Sequence, residues 1–172
     1  MKTLEIIENF TPESHAEPEK VLVQLLKEKK LIISVAESFT GGNISAKITS
    51  VSGASSVFYE GIVAYNERAK SARLGVLSQT LDEFKPVSYQ VASQMAQGLL
   101  TSGNAQIGLA TTGIAGPNSD DSNFPVGLCF IGVCVNGQTT VYKYNFSGTR
   151  AQIVQKGAIT ALNLAINKLK NI

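Results

Sequence analysis

The chain has 172 residues, 44% of them hydrophobic and 16% charged, enough for one domain with a buried core and unlike a disordered protein. Its 15 Lys and Arg against 13 Asp and Glu leave a net charge of +2, and the densest basic run, Lys27–Lys30, is interrupted by Glu28, so no charge pattern suits nucleic acid. No apolar stretch approaches the ~20 residues of a membrane helix, and Met1–Phe10, with Glu5 and Glu8, lacks the pattern of a secretory signal.

In chain order, residues 1–17 read as a lead-in segment and residues 18–172 as one domain. Pro18 suits the first turn of a helix carrying Leu22, Leu25 and Leu26 and ending at Lys29-Lys30. Leu31–Ala36 is a continuous apolar run with β-branched residues, the pattern of a strand buried on both faces. Glu37-Ser38-Phe39-Thr40-Gly41-Gly42 breaks it, and Ile44, Ala46 and Ile48 mark a second helix. Ser52–Ser56 is a small-residue loop ahead of a second strand, Val57–Tyr65. Asn66–Leu74 is helix-like. Ser78 is positioned to cap a short helix toward Phe84, and Ser88 to cap a longer one with Val91, Met95, Leu99 and Leu100 on one stripe. A third strand, Ile107–Thr111, leads into the loop Thr112–Pro125. Val126–Val135 and Thr139–Phe146 flank Asn136-Gly137, a strong hairpin signal, and a last helix runs from about Ala151 to Leu169. Buried strands separated by helices, with a hairpin added, predict a single three-layer α/β/α domain with a mixed sheet.

Cys129 and Cys134 are five apart on a strand and therefore point to opposite faces, which disfavours a shared metal or a local disulfide. They read as small buried hydrophobes of a protein kept in a reducing, cytoplasmic setting. The one histidine, His15, lies in the polar lead-in and reads as solvent-exposed. A Ser-His-Asp triad or a multi-histidine zinc site has nothing else to build on, so any general base is expected to be another residue type.

Ligands in open α/β sheets bind where strands end and helices begin, and three such loops are rich in small and hydroxyl residues. The first, Glu37–Gly42, has two glycines that let backbone N–H groups approach a ligand. The second runs from Ser55 and Ser56 through Tyr65 to Lys70. A serine needs a base, and without histidine a lysine kept neutral by burial or a neighbouring cation is the natural substitute. The third is Thr112-Gly113-Ile114-Ala115-Gly116-Pro117. Each also has a plain structural reading: a strand-to-helix connector, a surface lysine with a strand-end tyrosine, and a rigid turn.

Taken together, Ala36–Gly42, Gly53-Ala54-Ser55, Gly61–Asn66 with Lys70, Leu74-Gly75-Val76, and Thr112–Pro117 with Pro125-Val126-Gly127 occur in an order and spacing that resembles the CinA C-terminal domain family of nicotinamide-nucleotide amidases. The resemblance runs from about residue 20 to the C-terminus. It implies hydrolysis of nicotinamide mononucleotide to nicotinic acid mononucleotide and ammonia by serine and lysine, with no metal or organic cofactor. The implied partner is a small-molecule pyridine nucleotide, not nucleic acid or membrane, and the implied state is a homo-oligomer, a dimer or larger. Carried over by motif, the catalytic candidates are Ser38, Ser55, Tyr65 and Lys70, with the lean toward Ser55 as nucleophile because its loop leads into the strand that delivers Tyr65. The substrate-binding candidates are Thr40, Gly41, Gly42, Thr112, Gly113 and, for the phosphate, Arg150. Two departures stand out: Phe39 replaces the usual Cys and is expected to narrow or reshape the site, and Asn118–Phe124, with two Asp, replaces a Gly-rich stretch. The rival readings are a non-catalytic binding relative and an amidohydrolase acting on another small amide.

Overall fold

The computed structural model describes residues 4–119 and 124–172. Its elements are β1 (Leu4–Glu8), α1 (Pro18–Lys29), β2 (Ile33–Glu37), α2 (Asn43–Thr49), a 3₁₀ turn (Ala54–Ser56), β3 (Phe58–Val63), α3 (Glu67–Leu74), α4 (Ser78–Phe84), α5 (Tyr89–Gly98), β4 (Ile107–Gly113), β5 (Leu128–Val135), β6 (Gln138–Asn145) and α6 (Arg150–Lys170). The strands form one sheet in the order β1-β6-β5-β4-β2-β3, and among them only β5 runs against its neighbours. Helices cover both faces, so the expected α/β/α arrangement with a mixed sheet is observed. Among the described residues no helix is long and apolar enough to cross a membrane.

Side-chain alternation assigns the two faces. Ile33 and Val35 of β2, Ile107 and Leu109 of β4, and Cys129, Ile131 and Val133 of β5 pack with Leu22 and Leu26 of α1, Ile44 of α2 and Leu162 of α6. The intervening Ala36, Ala110 and Cys134 pack with Leu74 of α3 and Val91, Met95 and Ala96 of α5. Cys129 and Cys134 therefore face opposite sides of the sheet, both buried and unpaired, and burial pushes the Cys129 thiol well above its usual range. The hairpin turns at Asn136 and Gly137, both with positive φ, which matches the right-handed twist of the flanking strands.

The lead-in differs from expectation in two places. Leu4–Glu8 is not an appendage but an edge strand, parallel to β6 from Leu4 opposite Thr139 to Glu8 opposite Lys143. Its Leu-Glu-Ile-Ile-Glu sequence hides the strand because the glutamates are held laterally: Glu8 pairs with Lys143 at 3.1 Å and Glu5 with Lys168 at 3.4 Å. His15 is largely covered rather than exposed, with Nδ1 3.0 Å from Oδ1 of the buried Asn163 on α6. Two helix starts also test the capping assignments. Ser88 caps α5 through the N–H of Val91, whereas Ser78 is the first residue of α4, whose N-cap is Leu77 with no side-chain cap bond among the described residues.

Candidate active site

Because β2, β3 and β4 are parallel, the segments leaving them emerge on one edge of the sheet. Ser38 follows β2 directly, and its N–H donates to the carbonyl of Thr111 at 3.0 Å, which extends the ladder by one residue. The period of two that buries Ala36 against α3 and α5 sends Ser38 to the same side. There α3, capped by the Asn66 side chain through the N–H of Arg68 at 2.8 Å, presents Lys70 at its fourth position.

Lys70 is 3% exposed and donates from Nζ to Oγ of Ser38 at 2.9 Å. Burial lowers its pKa from 10.5 to about 8, and Glu67, one helical turn earlier, works in the opposite direction. The cause is thus the removal of water rather than a neighbouring cation. A lysine in that range supplies a neutral amine near physiological pH, in contact with a hydroxyl that needs one.

Ser38, Tyr65, Arg68, Lys70, Thr112 and Arg150 line a cleft of about 560 Å³. Arg150 opens α6, whose start is fixed by a capping box between Thr149 and Gln152. Its guanidinium donates to the Tyr65 hydroxyl at 2.9 Å and also to the carbonyl of Gly116, so it ties α6 to the ends of β3 and β4. Two of its five N–H groups are used in this way.

Several sequence candidates sit elsewhere or act indirectly. Ser55 lies in the 3₁₀ turn that precedes β3 and is exposed. The register of β2 with β3 puts that turn at the amino end of the sheet, roughly 16 Å of strand away from Ser38. It cannot reach Lys70, which runs against the lean toward Ser55; the hydroxyl in contact with that lysine is that of Ser38. Thr40 is fully buried, its hydroxyl paired with Thr111 at 2.8 Å; it borders a smaller cleft beyond Tyr65 and Arg150 and not the main one. Gly42 donates its N–H to Glu37, Gly41 lines that smaller cleft, and only Gly113 of the three glycines borders the main one. Thr112 borders the cleft, but its hydroxyl donates to the carbonyl of Pro86 at 2.7 Å and anchors the loop before α5.

Phe39, in place of the usual Cys, is accommodated largely by the core. Its ring turns into the core, where Gly113 and Gly157 make room for it: a Cβ at Gly157 would lie 2.5 Å from Cε1, and one at Gly113 2.7 Å from Cδ2. Phe146 completes the enclosure at a centroid separation of 6.4 Å. The ring packs inward, and the residue still borders the cleft. Of the acidic stretch, residues 120–123 lie outside the described residues.

Two site residues escaped the sequence reading. Glu67 had a visible signal, a carboxylate at i−3 from the candidate lysine. Glu37 is fully buried and holds the first turn of α2, accepting from the N–H groups of Gly42 (3.0 Å), Ile44 (3.0 Å) and Ser45 (2.8 Å) and from the Ser45 hydroxyl (2.7 Å). Its signal was negative: a helix start at Gly42-Asn43-Ile44 without a side-chain cap of its own.

A model of the CinA C-terminal domain matches residues 15–169. A CinA-like protein of Kosmotoga olearia is 46% identical over 145 residues, which cover 84% of this chain and 35% of that protein. The chain spans about 40% or less of the length of the curated relatives it matches. Among solved structures, the competence/damage inducible protein CihA of Agrobacterium tumefaciens is 33% identical with a TM-score of 0.83, covering 93% of this chain and 99% of that one. The competence-damaged protein (CinA) superfamily protein of Klebsiella pneumoniae 700603 is 26% identical with a TM-score of 0.88, covering 91% and 98%.

Proposed function

The chain belongs to the CinA C-terminal domain family, and from that premise we propose that it is an amidohydrolase in which Ser38 and Lys70 hydrolyse the carboxamide of nicotinamide mononucleotide. The observation that carries this reading is the 2.9 Å contact between Nζ of a buried lysine and Oγ of a buried serine at the floor of a cleft.

The chemistry follows from that contact. Neutral Lys70 accepts the Ser38 hydroxyl proton as Oγ bonds to the carboxamide carbon. Collapse of the tetrahedral adduct breaks the C–N bond, and Lys70 returns the proton to the departing ammonia. Water then attacks the acyl–Ser38 ester, its proton passing by way of Lys70 back to Oγ as nicotinic acid mononucleotide leaves. With a pKa of about 8, about one tenth of Lys70 is neutral at pH 7, so the rate is expected to rise with pH and to level off above about 8. The N–H groups of Arg150 suit the phosphate, and the Tyr65 hydroxyl holds that guanidinium in place.

A cytoplasmic setting belongs to the same proposal and is supported by the two unpaired, buried cysteines. So does assembly into a homo-oligomer, supported by Tyr59 and Val63 standing half-exposed on edge strand β3. Light scattering on the purified protein tests the assembly.

The test of the activity is ammonia release from nicotinamide mononucleotide across pH 6–9, with the acid product identified. Release from a phosphate-free amide but not from the nucleotide would favour the second reading, an amidohydrolase of another small amide. The engagement of Arg150 by Tyr65 and Gly116 is the observation on that side.

A further inference from the structure

Glu37 is a carboxylate with no cation beside it among the described residues, fully buried immediately before Ser38. A buried charge of this kind is costly unless donors surround it, and here all four come from the start of α2. The side chain thus closes a ring: the chain leaves β2 at Glu37, passes through Ser38, Phe39, Thr40 and Gly41, and returns to the Glu37 carboxylate at Gly42. Within that ring Ser38 is held by Thr111 and Lys70, and Thr40 by Thr111. Among the described residues, the backbone N–H of Phe39 donates to no protein acceptor, although the residue is 3% exposed. Its ring is fixed between Gly113 and Gly157, and the residue borders the cleft beside Ser38. An unpaired buried donor next to a nucleophile fits the place where negative charge develops on a carbonyl oxygen.

We propose that Glu37 is a positioning residue that holds the 38–42 ring so that the Phe39 N–H stabilises the oxyanion formed when Ser38 attacks. This rests on the serine–lysine reading of the cleft, not on the identity of the amide. Glu37 never touches the substrate. It acts by keeping one peptide from turning away, in a loop whose two glycines would otherwise let it turn. Ser45 extends the same argument, because it supplies two of the four bonds and borders neither cleft.

The experiment uses a fluorophosphonate probe, so no particular amide needs to be a substrate. Oγ of Ser38 bonds to phosphorus, the P–F bond breaks, fluoride leaves, and the hydroxyl proton passes to Lys70. Labelling at Ser38 is followed by mass spectrometry in the wild type, Glu37→Gln and Ser45→Ala. Loss of a preorganised oxyanion donor slows such steps by about 10²–10³-fold, the fall expected for Glu37→Gln. Ser45→Ala removes a single charge-assisted bond and is expected to slow labelling about tenfold. In both variants the maximal labelling rate falls while the half-saturating probe concentration and the pH midpoint of the rate stay at their wild-type values, which general loosening of the cleft would not preserve. Should Glu37→Gln fail to fold, Ser45→Ala carries the test. Wild-type labelling rates in a folded Ser45→Ala protein would overturn the positioning role. No labelling of the wild type at Ser38 would instead overturn the serine–lysine reading beneath it.

Discussion

Replacing Lys70 with methionine, which keeps the reach of the side chain but carries no charge, is expected to stabilise the fold at neutral pH while abolishing turnover. Lys70 is 3% exposed, and among the described residues no carboxylate lies within ion-pair distance of it. Its pKa is about 8 in the fold against 10.5 for a free side chain. That difference corresponds to about 3 kcal/mol of destabilisation whenever the amine is protonated in both states. Losing the bond to Ser38 costs about 1 kcal/mol, which leaves a net gain of about 2 kcal/mol. For a chain of this length the midpoint of thermal unfolding should rise by about 4–8 °C. The sign with pH is fixed as well. Between about pH 8 and 10.5 the unfolded chain binds the lysine proton and the folded chain does not, so the wild type gains stability as pH rises through that window. The gap between the two proteins should therefore be full at pH 7 and close toward pH 10.5. Urea unfolding at pH 7 and pH 10 measures it. A variant less stable than the wild type at pH 7, or a gap of the same size at both pH values, would refute the claim that burial depresses this amine.

Three other outcomes follow from the geometry. Ser38→Ala should abolish both ammonia release and fluorophosphonate labelling, whereas Ser55→Ala, at the other end of the sheet, should leave kcat within about twofold of the wild type, the margin of a surface change; equal losses would return Ser55 to the site. Arg150→Ala should raise KM for the nucleotide by about tenfold or more, the worth of a charge-assisted bond, with little change for the phosphate-free riboside, and equal effects on both substrates would remove Arg150 from the phosphate. Gly157→Ala should destabilise by about 1–3 kcal/mol, because its methyl group meets the Phe39 ring at 2.5 Å, and Gly157→Ala combined with Phe39→Cys should recover most of that loss in denaturant unfolding.

The strands and helices that carry the cleft were legible because local signals agree there: an apolar run for β2, a capped helix for α5, Asn136-Gly137 for the hairpin. Lys70 was a candidate from the scarcity of histidine and its place after Tyr65, and Arg150 only through the family resemblance. The choice between Ser38 and Ser55 was not, although its determinant is simple. A segment that precedes a strand and one that follows a parallel neighbour lie at opposite edges of a sheet, and Ser55 precedes β3 while Ser38 follows β2. Once three parallel strands are expected, that rule alone puts Ser38, and not Ser55, at the end of the sheet where Lys70 lies. The role of Phe39 was beyond reach because its space comes from Gly157, 118 positions away and without any local mark. Strand β1 was hidden for the same reason, its partners lying near residue 140.

The pairing of β1 with β6 has a consequence for biosynthesis. Glu8 and Lys143 are 135 residues apart, and at ~5–20 residues per second the strand waits roughly 7–27 s on the ribosome for the edge it will join. Throughout that interval Leu4, Ile6 and Ile7 form an unpaired apolar segment, the kind that recruits other nascent chains. Glu5 and Glu8 interrupt it as gatekeepers. The same carboxylates later take up Lys168 of α6 and Lys143 of β6, so the side chains that interrupt the apolar segment also tie the finished strand to both of its neighbours.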